Sequence, residues 1–177
     1  RQAAEAAGIT NSKFAVVTCS DDANPDAKYT ANFHGGGYDL IGPGAKVDFG
    51  KLQVGFHAGH TRRVVKNTQH IGQYQTSENQ ILMGKVRGDD DGILRGCCGA
   101  LDGALKNLSP GAELPVSDID LDLNEFSNLA ALAQDLRKTY DLGKPEEYSQ
   151  AMWQFVLAHT RAETKAIIDG LKKLNAN

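Results

Sequence analysis

Apolar positions along the chain follow two rhythms, short continuous or alternating runs in the first two thirds and a three-four spacing in the last third. The run Phe14-Ala15-Val16-Val17-Thr18, inside residues 13–19, predicts a strand buried on both faces, as in a sheet covered by helices. Ahead of it, residues 1–8 read as the tail of a helix closed by Gly8. Residues 32–50 carry glycines at 35, 36, 37, 42, 44 and 50 together with Pro43, which predicts loop. No Lys-Ser/Thr pair follows those glycines, so a phosphate-binding loop is rejected. Leu52, Val54 and Phe56 alternate with Gln53, Gly55 and His57, the period of a further strand. Residues 69–74 and 81–86 are short strand candidates joined by a polar turn at 76–80, and residues 87–92 form an acidic surface loop. A helix over residues 98–108 is stopped by Ser109-Pro110-Gly111.

From Glu125 onward the pattern becomes helical. Phe126, Leu129, Leu132, Ala133 and Leu136 share one face, with Asp122 or Asn124 as cap. The last helix starts at Pro145, with Glu146 and Glu147 complementing its dipole. Its stripe is Tyr148, Met152, Phe155, His159, Ala162, Ala166, Gly170 and Leu174. A helix of that length on a small domain predicts a second subunit covering the stripe. Together the elements predict one α/β domain over residues 1–177: a central, mostly parallel sheet flanked by helices, with a helical C-terminal extension over about residues 125–174.

Composition narrows the function classes. The 19 Lys and Arg against 22 Asp and Glu give a net charge of −3, and the basic residues are scattered, which argues against nucleic acid as a partner. No apolar run approaches the roughly 18 residues of a membrane span. Three cysteines, two of them adjacent, do not make a secreted disulfide framework, so a soluble protein of a reducing compartment is expected.

Those cysteines carry the candidate chemistry. Cys19 ends the first strand, and ligands in open α/β sheets bind beyond the carboxyl ends of strands. Cys97 and Cys98 stand between Gly96 and Gly99 at a helix start, where backbone N–H groups favour an anion and bias a thiol toward thiolate. His57 and His60 supply imidazole. Cys19, one of the two histidines and one of the two adjacent cysteines would make a three-ligand zinc site with a fourth position open, as catalytic zinc requires. The plainer reading takes each cysteine as a small buried hydrophobe. Placement at a strand end and a helix start speaks for chemistry. A thiol-redox role for Cys97 and Cys98 is weaker, because adjacent cysteines lack the C-x-x-C spacing and form strained disulfides.

Cys19-Ser20-Asp21 resembles the Cys-Ser-Asp element of β-class carbonic anhydrases. A longer series resembles the limiting-CO2-inducible B/C family, the θ-class carbonic anhydrases of algae and bacteria. Its pieces are Cys19-Ser20-Asp21-Asp22-Ala23-Asn24, Gly50-Lys51 with residues 55–60, Gln69-His70-Ile71-Gly72, Gly84-Lys85-Val86-Arg87 and Cys98-Gly99-Ala100-Leu101. They stand in the family's order over about half of the chain. The resemblance implies a β-carbonic-anhydrase-like fold, a homodimer and zinc held by Cys19, His60 and Cys98. It implies CO2 and bicarbonate as substrates, in the chloroplast stroma or pyrenoid of an alga or the cytoplasm of a bacterium. Zinc lowers the pKa of a bound water to about 7, which supplies a nucleophile for CO2 at neutral pH. Asp21 would orient that nucleophile by accepting its hydrogen bond, its plainer role being a helix or turn cap. His57, if not a ligand, would shuttle the proton. The sequence departs from the family in two places. Gly59-His60 stands where the family has a His-His pair, and Asn24-Pro25-Asp26 lacks the arginine that would pair with the aspartate, a part left to Arg62 or Arg63. A family member that binds zinc without catalysis, serving in a carbon-concentrating assembly, is the alternative these departures favour.

Overall fold

The computed structural model describes residues 15–19, 38–42, 49–57, 65–67, 71–87, 94–96, 98–111 and 123–176. The chain divides into two compact units. One comprises Arg1–Thr68, Asp118–Asp120 and Thr164–Asn177, the other Gln69–Ser117 and Leu121–Glu163.

In the first unit, β1 (Ala15–Cys19) lies between β2 (Tyr38–Gly42) and β3 (Val65–Asn67) and runs parallel to both. Ala15 pairs with Tyr38 on one side and Val65 on the other, and Cys19 pairs with Gly42 at the end of the sheet. The middle position pairs β1 along both edges, and four of its five residues, Ala15, Val16, Val17 and Cys19, are apolar. Strand β2 falls inside the stretch expected to be loop. Its residues Tyr38 and Ile41 are strand formers whose signal is masked by Asp39 between them and by the glycines on either side.

The expected strand at residues 52–56 is instead part of a helix, α1 (Phe49–His57), which contacts β2. Leu52 and Phe56 are buried while Val54 is 59% exposed. The alternation was coincidental: the pair that matters is Leu52 and Phe56, four residues apart and therefore on one face of a helix.

The second unit begins with a hairpin of β4 (Gln73–Gln75) and β5 (Ile81–Met83), with Gln73 opposite Met83 and Gln75 opposite Ile81. Its turn is closed by the Gln80 carbonyl accepting from the Thr76 N–H at 2.9 Å, with Asn79 at φ 62° in the left-handed region that Asn tolerates. After Gly84, β6 (Lys85–Arg87) pairs antiparallel with β7 (Leu94–Gly96). Gly84 has φ 76°, and a Cβ there would stand 2.5 Å from Met152 Cγ, so both conformation and space require glycine.

Three helices follow: α2 (Gly99–Asn107), α3 (Leu123–Thr139) and α4 (Pro145–Asn175). Helix α2 packs on α3. Asn124 lies within the first turn of α3, not at its cap, and Asp122 lies outside the described residues. On α4 the side chains of Tyr148, Met152 and Phe155 are among the largest fully buried ones. Met83 N–H donates to Ser149 Oγ at 2.6 Å, tying the hairpin to α4.

The expected central, mostly parallel sheet flanked by helices is therefore corrected. Among the described residues the parallel sheet has three strands of three to five residues, and the other four strands form separate antiparallel pairs. Helices of 9, 9, 17 and 31 residues dominate. The physical reason is that one strand candidate folds as a helix and the others are too short to extend a single sheet, so the burial that a large sheet would offer falls to α4. Tyr148, Met152, Phe155 and Ala162 of the α4 stripe are already buried within the chain, so these side chains alone do not call for a second subunit. The exposed apolar side chains of α4, Trp153, Leu157 and Ile168, lie outside that stripe.

The helical assignment of α1 has a direct test in urea unfolding. Leu52→Ala should lower stability by about 2–5 kcal/mol, as for a large buried side chain. Val54→Gln should change it by about 0.5 kcal/mol or less, as for a surface position. A strand would place both residues on one face, so equal losses would contradict the helix.

Candidate functional site

Cys98 is the expected site residue whose surroundings are described most fully. It is the N-cap of α2, with extended backbone angles (φ −73°, ψ 140°), and its carbonyl accepts the Asp102 N–H at 2.9 Å to close the first turn. Ser, Thr, Asp and Asn usually hold this position because their side chains cap the exposed N–H groups. The Cys98 thiol does not cap, and the residue is 1% exposed. At a helix start the exposed N–H groups and the dipole favour an anion.

The helix that carries Cys98 is fastened at both ends. One turn after Cys98, the carboxylate of Asp102 accepts the Tyr148 hydroxyl at 2.6 Å on Oδ1 and the Lys106 ammonium at 2.8 Å on Oδ2. Gly96 permits this close approach, since a Cβ there would collide with the Asp102 carboxyl group. At the other end, Arg137 of α3 donates to the Leu105 and Leu108 carbonyls at 2.7 Å each and to Ser109 Oγ at 3.2 Å. Those carbonyls belong to the last turn, which has no acceptor use within the helix, so the guanidinium serves as its C-terminal cap.

Lys85 completes the cluster. Its Nζ lies 3.5 Å from the centroid of the Tyr148 ring, and Lys106 Nζ lies 5.8 Å from it. Burial holds the Lys85 amine below the usual lysine range, the neighbouring Lys106 ammonium adds to this, and Asp102 opposes it.

The other expected site residues divide as follows. Cys19 is the last residue of β1, and His57 is the last residue of α1, exposed, with its ring edge-on to Phe56 at 5.8 Å. Both belong to the first unit, whereas Cys98 belongs to the second. His60, Cys97, Asp21, Arg62 and Arg63 lie outside the described residues. Among the described residues, no group of three or more His, Cys, Asp or Glu stands close enough to hold a metal ion. Nor is any of their helices long and apolar enough to cross a membrane.

Sequence reasoning missed Asp102, Lys106, Arg137 and the polar role of Tyr148. Two signals were present. Asp102 and Lys106 have the four-residue spacing of a helical ion pair. A tyrosine inside an apolar stripe still needs a partner for its hydroxyl once buried. Nothing in the sequence pointed to Arg137, whose acceptors are backbone carbonyls. Compared with protein-family models and with curated proteins, the chain matches none.

The two partners of Asp102 should differ in weight. Tyr148→Phe removes the part-buried hydrogen bond to this carboxylate and should cost about 1.5–3 kcal/mol, the range for hydrogen bonds to charged groups. Lys106→Met removes a half-exposed pair and should cost about 1 kcal/mol or less. Chemical denaturation of both variants checks the order, and a larger loss from Lys106→Met would reverse it.

Proposed function

We propose that this chain catalyses the reversible hydration of CO2 to bicarbonate with a zinc ion held by Cys19, His60 and Cys98. The observation that carries the reading is Cys98, a fully buried thiol at the N-cap of a braced helix that is not used to cap it. A thiol so placed suits a metal ligand, and two thiolates with one imidazole form a donor set that suits zinc. The place of Cys19 supports the same reading, since it ends the middle strand of a parallel sheet and is followed by Ser20-Asp21. When bound, zinc supplies Lewis acidity that makes a water nucleophilic at neutral pH.

The remaining work falls to the chain's own residues. Asp21, two positions beyond Cys19, accepts a hydrogen bond from the attacking oxygen and orients its lone pair. Arg62 or Arg63 keeps that carboxylate ionised. His57, exposed at the end of α1, passes the released proton to solvent. The homodimer implied by the family resemblance is part of the same proposal.

A second reading, zinc binding without catalysis, rests on one specific observation: the residues after Asp21 run Asp22-Ala23-Asn24-Pro25-Asp26, with no arginine to pair with it. CO2-hydration assays on the full chain separate the two. Activity is expected in the parent chain, lost in Cys19→Ser and Cys98→Ser and largely kept in Cys97→Ser, because only one of two adjacent side chains can enter a single site. Asp21→Asn should retain zinc and lose most activity. A zinc-loaded parent chain without activity would favour the second reading, and an unimpaired Cys98→Ser would remove the first.

A further inference from the structure

The outward face of α4 carries apolar side chains that the chain leaves uncovered. Glu146, Gln150, Trp153, Leu157 and Arg161 recur at spacings of four, three, four and four, which sets them along one side of the helix. All five are exposed, Trp153 at 43% and Leu157 at 38%. Tryptophan and arginine are side chains that interfaces favour, and Trp153 is the one tryptophan of the chain. The charges on either side of this apolar pair are opposite in sign, Glu146 near the start of the helix and Arg161 beyond Leu157. Among the described residues neither makes an ion pair, whereas Glu147 is engaged by Lys144 at 2.9 Å and Asp169 by Lys165 at 3.5 Å.

We propose that a second copy of this chain docks antiparallel on this face, with each Trp153 over the other copy's Leu157 and each Glu146 beside the other copy's Arg161. Charge decides both the occupant and its direction. A parallel pair would set glutamate against glutamate and arginine against arginine, whereas an antiparallel pair joins opposite signs twice. The register follows from the apolar residues. With Trp153 opposite Leu157, Glu146 of one copy lies about one turn, roughly 5 Å along the axis, from Arg161 of the other, within reach of both side chains. Two copies of one face that meet about a two-fold axis close on themselves, so association stops at the dimer. The contact gives the homodimer of the proposed function a surface, yet it uses neither zinc nor CO2, so loss of dimerisation and loss of metal binding are read separately.

The test follows the native full chain through a dilution series by sedimentation and by Trp153 fluorescence. The parent chain should be a dimer at the concentrated end, with the emission moving to longer wavelength as dilution exposes the ring. Arg161→Glu sets acid against acid at both ends of the contact and should raise the dimer dissociation constant about tenfold or more. Adding Glu146→Arg restores opposite signs and should recover most of the parent affinity. Both positions are exposed, so the variants fold, and circular dichroism verifies this. A parent chain that stays monomeric would overturn the proposal and leave the face to a different partner. A dimer that Arg161→Glu does not weaken, or that the double variant does not restore, would overturn it as well.

Discussion

The hydrogen bond from the Tyr148 hydroxyl to the Asp102 carboxylate is the contact on which the second unit depends. It joins α4, which buries the largest side chains, to α2, which begins at Cys98. Tyr148 is fully buried, so its hydroxyl needs an acceptor inside the fold, and the part-buried Asp102 carboxylate supplies it. The rest of the cluster follows from that bond. Gly96 must be glycine because Asp102 occupies the space a side chain would take. Lys106 is drawn to the second carboxylate oxygen, and Lys85 is left on the ring face. With Arg137 closing the far end of α2, the position of Cys98 is fixed by contacts on both sides of the helix that carries it.

Local elements were more legible in the sequence than the architecture they build. The run ending in Cys19, the turn between β4 and β5, and the helix that starts at Pro145 each carry a signal confined to a few neighbouring residues, and each folds as that signal indicates. Residues 52–56 show why alternation over five positions is weak: Leu52 and Phe56 satisfy a strand and a helix equally, and only the exposure of Val54 separates the two. Strand β2 was hidden by its glycine-rich flanks. The mostly parallel central sheet failed at the level of assembly, because pairing between distant strands has no local signature. Burial that such a sheet would have provided is supplied by the long helix instead.

The candidate site was legible as chemistry and not as geometry. Cysteine at a strand end and cysteine at a helix start are recognisable one residue at a time, and Cys19 and Cys98 do occupy those places. What holds Cys98 in place was not recognisable, since Tyr148 and Asp102 are 46 residues apart and Arg137 acts on backbone carbonyls. Such braces leave no trace in spacing. Their effect is to place a buried thiol at a helix start without using it as a cap, which is the feature a metal-ligand role would exploit.

The central claim is that this thiol is a zinc ligand, and the most direct measurement combines metal analysis with thiol titration on the purified full chain. The account predicts about one zinc per chain, as for a single three-ligand site, and a Cys98 thiol that reacts with a thiol reagent only after a chelator has removed the metal. A chain that carries no zinc after exposure to it, or a Cys98 whose reactivity is the same with and without chelator, would contradict it.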